Sequence, residues 1–122
     1  MIKNHPPISG CITSYRSRPK RVTIFCNICG RLPYETESKR LVRDHNHQTG
    51  IIRGILCDDC NSLLGILESI KHMAEQIVKA RNSKKYKRWF KMYKDRISYH
   101  LKCNTGIKYS RKIYIPFEIL VH

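Results

Sequence analysis

With 122 residues the chain has room for one domain and a small core, in which a metal staple would be physically useful. No apolar run approaches the roughly 18 residues of a membrane span, so no membrane partner is expected. Six cysteines admit a secreted disulfide scaffold in principle. Four of them fall in Cys-x₂-Cys pairs, however, and the Met1–Pro7 start lacks an apolar signal core, so a reducing, intracellular setting is expected.

The net charge of +15 is unevenly spread. Residues 1–25 carry +5, residues 26–70 carry −1 and residues 71–122 carry +11. A near-neutral centre between two basic flanks suits a protein that grips a polyanion with its flanks, and nucleic acid is the first candidate partner. No small-molecule substrate is expected. The division is a basic arm over 1–21, a central module over 22–82, and a basic extension over 83–122 that serves DNA binding, dimerisation or both.

In chain order, Val22-Thr23-Ile24-Phe25 is a short β-prone run that delivers Cys26, and Cys29-Gly30 suits a tight knuckle. Leu41–His45 and Ile51–Leu56 read as two strands joined through Gln48-Thr49-Gly50, a hairpin that carries Asp44-His45-Asn46-His47 at its end. Asp58 and Asp59 favour a helix start, and Leu63, Leu67, Ile70, Ala74 and Ile77 recur at helical spacing, so a helix is predicted over about 59–80. Its first turn carries Cys60 and Asn61. A knuckle, a hairpin and such a helix make an α+β fold, a small treble-clef zinc finger with a basic helical C-terminal extension.

A second helix is predicted over about 84–102, with Tyr86, Trp89, Phe90, Tyr93, Ile97 and Leu101 as an apolar stripe. The stripe reads as core or subunit interface, and Trp89, Phe90 and Tyr93 are a plausible place to join a homodimer. Between them Lys84, Lys85, Lys87, Arg88 and Lys91 are candidate DNA contacts. Ile107, Tyr109, Arg111, Ile113 and Ile115 alternate as a strand would, and Pro116 confines that strand to an edge or an end.

The chemistry concentrates in the centre. Cys26-x₂-Cys29 and Cys57-x₂-Cys60 offer four thiolates, enough to close one tetrahedral Zn²⁺ shell with Zn–S distances of about 2.3 Å. A closed shell holds structure, so reaction chemistry falls to residues outside it. Asp44 and Asn61 supply hard oxygens suited to Mg²⁺ or Mn²⁺, and His45 supplies an imidazole able to deprotonate water at neutral pH. That set suits phosphodiester hydrolysis. The alternative makes His45 and His47 ligands in a cross-brace, although six ligands are too few for two tetrahedral sites and too many for one. In a regular strand Asp44 and His45 point to opposite faces, so their convergence requires a departure from strand geometry. Arg43 and Arg53 either clamp a phosphate or occupy exposed strand positions. Cys11, Cys103, His5, His72, His100 and His122 are read as packing or surface residues.

Taken together, Cys26-Asn-Ile-Cys29, Asp44-His45-Asn46-His47, Gly50-x-x-Arg53-Gly54-Ile55-Leu56-Cys57 and Cys60-Asn61-x-x-Leu64-Gly65 resemble the recombination endonuclease VII family, a bacteriophage branch of the His-Me finger (HNH-type) nucleases. The resemblance covers about residues 22–68. It implies zinc on the four cysteines, Mg²⁺ on Asp44 and Asn61, His45 as general base and His47 in support near the scissile phosphate. It further implies a DNA endonuclease acting on branched DNA such as four-way junctions, in the cytoplasm of an infected bacterium. A homing or nicking enzyme on duplex DNA and a non-catalytic zinc-stabilised DNA-binding module are the alternatives. One departure stands out. A catalytic glutamate of the family lies three residues after the asparagine, where this chain has Leu64; Glu68 lies one turn further on.

Overall fold

The computed structural model describes residues 23–120; the basic arm over 1–21, Cys11, His5, Val22 and His122 lie outside them. Two antiparallel strands, β1 (Leu41–His45) and β2 (Ile52–Cys57), and three helices, α1 (Asp58–Glu68), α2 (Glu75–Arg81) and α3 (Lys84–Lys102), form a small α+β fold. Short 3-10 turns lie at Pro33–Glu35 and Phe117–Leu120. Among the described residues no helix is long and apolar enough to cross a membrane.

The hairpin matches the pattern of its residues. Leu41 pairs with Cys57 and Asp44 with Gly54, whereas His45 pairs with Ile52. Arg53 is therefore the extra residue of a bulge that falls between Asp44 and His45. Asn46 closes the turn, its Oδ1 accepting from the backbone N–H groups of Gln48 and Thr49 at 2.8 and 3.2 Å. All six residues of β2 are buried, because α1, α3 and the C-terminal turn pack on it. Gly54 is required there by the knuckle, since a Cβ would lie 2.1 Å from Asn27 Oδ1. That oxygen is already engaged, accepting the Ile55 N–H at 3.0 Å.

Three expectations are corrected. The expected run Val22–Phe25 forms no strand over its described residues 23–25; the chain turns at once into the knuckle, where Cys26 N–H bonds Arg31 O at 2.9 Å and Asn27 N–H bonds Ile55 O at 2.8 Å. The helix expected over 59–80 is two helices, interrupted at 69–74. An 11-residue helix is about 16 Å long, close to the roughly 20 Å of the six-residue strand it packs on, so beyond Glu68 there is no sheet left to bury an apolar face. The strand expected over 107–115 shrinks to one bridge, Ile51 to Lys108, with Tyr109 N–H bonded to Gly50 O at 2.8 Å. Beyond it the chain turns inward to bury Ile115 and Leu120 instead of extending the sheet.

Helix α3 has the expected bounds, with a non-helical Tyr93 inside it (φ −117°, ψ 22°). Ser83 caps its start by accepting the Tyr86 N–H at 3.2 Å. Within the aromatic stripe Trp89 packs inside the chain. That indole is buried, and its Nε1–H donates to Cys60 Sγ at 3.4 Å.

Candidate active site and metal centre

The Cys57 end of the hairpin carries the thiolate cluster. Cys26 and Cys29 arrive on the knuckle, where Gly30 takes a positive φ of 80° and returns its N–H to Cys26 O. Cys57 closes β2 and Cys60 sits in the first turn of α1. All four sulfurs are buried and lie within 4.8 Å of one another. Cys29 and Cys57 sulfurs stand 3.7 Å apart, close to the roughly 3.8 Å edge of a tetrahedron with 2.3 Å arms. The donor set and spacing suit a structural zinc ion. No histidine joins the cluster among the described residues, which removes the cross-brace alternative.

Neighbouring donors complete this site. Arg31 Nε donates to Cys29 Sγ at 3.3 Å, Arg31 also pairs with Asp59 at 3.5 Å, and the Cys60 N–H reaches Cys57 Sγ at 3.4 Å. The other sulfhydryls, with Arg31 added, hold the Cys29 thiol far below its ordinary range. Four thiolates around Zn²⁺ leave two excess negative charges, and such donors disperse them. Neither Arg31 nor Trp89 is signalled by the cysteine spacing. A cleft of about 990 Å³ opens beside this cluster, lined by Arg31, Lys84, Lys85, Arg88, Trp89 and others. Lys84, Lys85, Lys87, Arg88 and Lys91 are all exposed on α3, with Lys85 bonded to Asp59 at 3.2 Å.

The other end of the hairpin, about 13 Å away along β1, carries the Asp44–His47 segment. Asp44 points inward and is 6% exposed. Its Oδ2 accepts from Arg53 Nε at 2.8 Å and from His100 Nε2 at 2.8 Å; its Oδ1 accepts from Arg53 Nη2 at 3.3 Å. An ionised carboxylate only accepts, so His100 Nε2 carries the hydrogen. Burial pushes the Asp44 carboxyl up, but the His100 and Arg53 bonds outweigh it and hold it below the usual carboxylate range. Arg53 turns its other edge to Glu68, at 2.8 and 2.9 Å. Asp44, Arg53 and His100 are buried, whereas Glu68 closes the network at its rim with its side chain 39% exposed.

The bulge sends His45 elsewhere. Its ring stacks on His47 at 4.8 Å and on Tyr109 at 4.3 Å between centroids, with interplanar angles of 10° and 8°. Desolvation first, and the charge of His47 next, lower its pKa from the ordinary 6.5, so the imidazole is neutral at pH 7. His47 is exposed, and so is Asn61 on the first turn of α1. Leu64 is buried in the core.

Both strand arginines are occupied. Arg53 is 4% exposed and paired on two edges, so it braces the interior and does not stand at an exposed strand position. Arg43 Nε donates to Ile115 O, and its guanidinium lies over the rings of Phe117 and Tyr114 at 4.0 and 4.8 Å. Residue spacing gives no hint of His100, which is 56 positions from Asp44. Its place on the buried side of α3, three positions after Ile97, is the one available signal.

The family model described as recombination endonuclease VII matches residues 15–91, extending past the central motifs into α3. The chain belongs to the recombination endonuclease VII family. Two curated relatives of this family member are each called Gene 59 protein, from Mycobacterium phages L5 and D29. The first is 53% identical over 36 residues, 30% of this chain and 21% of the relative; the second is 49% identical over 39 residues, 32% and 22%. The matched stretch thus spans about a fifth of the relatives' length. No solved structure gives a significant match.

Proposed function

We propose that this endonuclease VII family member is a metal-dependent DNA endonuclease of the His-Me finger (HNH) type, built on a treble-clef zinc finger. The observation that carries the reading is His45: a neutral, partly accessible imidazole, stacked in place at the end of a hairpin whose opposite end is tied by four thiolates. A neutral histidine in that setting can take a proton from water at physiological pH. The activated oxygen attacks phosphorus, and the P–O bond to the 3′-oxygen breaks. His47 stands beside the base as a support for the phosphate.

Asp44 and Asn61 are the hard oxygens that would hold a Mg²⁺ or Mn²⁺ ion. Asp44 is held ionised, and its Oδ1 makes a single long bond. Bound there, the cation would offset charge developing on the phosphate and leaving oxygen. The structural ion on the four cysteines is Zn²⁺, one per chain. The exposed cations of α3, Lys84, Lys85, Lys87, Arg88 and Lys91, hold the DNA backbone. Branched DNA such as a four-way junction is the preferred substrate, and paired cuts across it need a second copy of the chain.

A second reading is favoured by the engagement of Asp44 with Arg53 and His100 and by Leu64 in the core at the family's glutamate position: a zinc-stabilised DNA-binding module without cleavage. Cleavage of linear duplex, nicked duplex and four-way junction with and without Mg²⁺ decides between them. Metal-dependent cutting of the junction first is expected; binding with no cutting by any metal would establish the module.

A further inference from the structure

The break between α1 and α2 is an ordered feature. Ser69–Ala74 displays two large apolar side chains almost wholly to solvent, Ile70 at 88% and Met73 at 93% exposure. Here the backbone is held from beneath by Arg81. Its guanidinium donates to Ile66 O at 3.0 Å and Ser69 O at 2.9 Å, and meets His72 Nδ1 at 2.9 Å. Lys71 N–H bonds Ser69 Oγ at 3.2 Å, and Ala74 N–H returns to Lys71 O at 3.1 Å. The tip is thus fixed in shape while its apolar ends stay outside.

Its position matters as much as its shape. Ile70 lies two residues past Glu68, and Glu68 is joined through Arg53 to Asp44, the residue before His45. The tip therefore follows the end of α1 that is tied to Asp44, opposite the end that carries Cys60. Lys71 sits exposed between the two apolar residues, with the exposed Glu68 and Glu75 flanking the tip on either side. A rigid apolar point with a cation at its centre has the chemistry of a side-chain wedge that lodges against unstacked bases.

We infer that Ile70 and Met73 form a wedge that packs against nucleobases beside the scissile phosphate, at a branch or another break in base stacking. The inference rests on the nuclease reading above. It assigns substrate shape to these two side chains and sequence-independent grip to the lysines. A branch presents unstacked bases at little cost, whereas continuous duplex must first be opened, so the wedge favours branched DNA.

The test uses the full chain and a four-way junction carrying 2-aminopurine next to the phosphate that the wild-type protein cuts. On binding in EDTA-free buffer without divalent metal, wild type should raise the 2-aminopurine fluorescence. Ile70→Ser with Met73→Ser should abolish that rise and lower the preference for junction over linear duplex by roughly tenfold, with zinc content and linear-duplex affinity unchanged. Arg81→Gln, which keeps both apolar side chains but frees the loop, should give an intermediate rise. An unchanged fluorescence rise and preference in the double variant would overturn the wedge while leaving the nuclease intact. A double variant that lost self-association in sedimentation, with its fluorescence response retained, would overturn it in favour of a contact between copies. Wild-type protein that cuts no DNA would remove the nuclease reading and the wedge with it.

Discussion

The two ends of the hairpin are organised on different principles. At the Cys57 end, two local Cys-x₂-Cys pairs bring four sulfurs within 4.8 Å, and Arg31 and Trp89 are added around them. At the His45 end, Asp44, Arg53, Glu68 and His100 come from β1, β2, α1 and α3, and no two of them are near neighbours in sequence. One end is a local motif that a metal can close. The other is a tertiary network that exists only when all of its elements have docked. If a metal closes the first end, the docking that assembles the second should depend on it.

The harshest way to break this comparison is Cys26→Ser. Structural zinc contributes on the order of 10 kcal/mol or more to folding, so the variant should lose both ends together, seen as loss of cooperative thermal unfolding by circular dichroism. A variant in which amides of the His45 end stay protected from hydrogen exchange would show the two ends to be independent. Elemental analysis of the wild type should return one zinc per chain.

His45→Ala separates chemistry from architecture. Cleavage should fall by at least about 10²-fold with DNA affinity nearly unchanged. Because the His45 pKa is lowered from 6.5, wild-type cleavage should hold its plateau through pH 7 and fall only on the acid side, below that ordinary value. A plateau reached only well above pH 7 would remove His45 as the base.

His100→Ala probes the network itself. It removes one of the donors to a buried carboxylate, which should cost about 3 kcal/mol in urea unfolding and weaken cleavage as Asp44 loses its position. The pH dependence follows from the Asp44 carboxyl, which is lowered in the folded state. Its contribution is fully present above the unfolded carboxylate value of about 3.9 and is lost as pH falls through the lower folded value. Acid unfolding should therefore be steeper in wild type than in Asp44→Asn.

Smaller effects are expected from the donors around the thiolates and from the surface. Trp89→Phe should keep the fold but weaken zinc retention by about 10- to 100-fold, read by metal release to a chromogenic chelator. Replacing Lys84, Lys85 and Arg88 by Gln should flatten the salt dependence of DNA binding by close to one log–log unit for each phosphate that the protein no longer neutralises. An unchanged slope would place the DNA on another face.

What the sequence by itself determined is the part written in short spacings. Cysteine pairs, a hairpin closed by a turn-forming segment and the apolar period of α3 are set within a few residues, by ligand geometry, turn chemistry and helical repeat. Tertiary structure alone decided the rest. Ile70, Ala74 and Ile77 keep a helical period that breaks at Ser69, because the sheet beneath α1 ends there and Arg81 binds the freed carbonyls. Trp89 fits an interface stripe as well as a core stripe until Cys60 is found against its indole N–H. Arg53 reads equally as a phosphate clamp or an exposed strand cation and His100 as a stray histidine, and both are buried partners of Asp44. The reason is physical: a thiolate cluster is announced by two Cys-x₂-Cys pairs whose residue type and short internal spacing are visible however far apart the pairs lie, whereas a buried carboxylate takes whichever donors the docking of the helices brings to it.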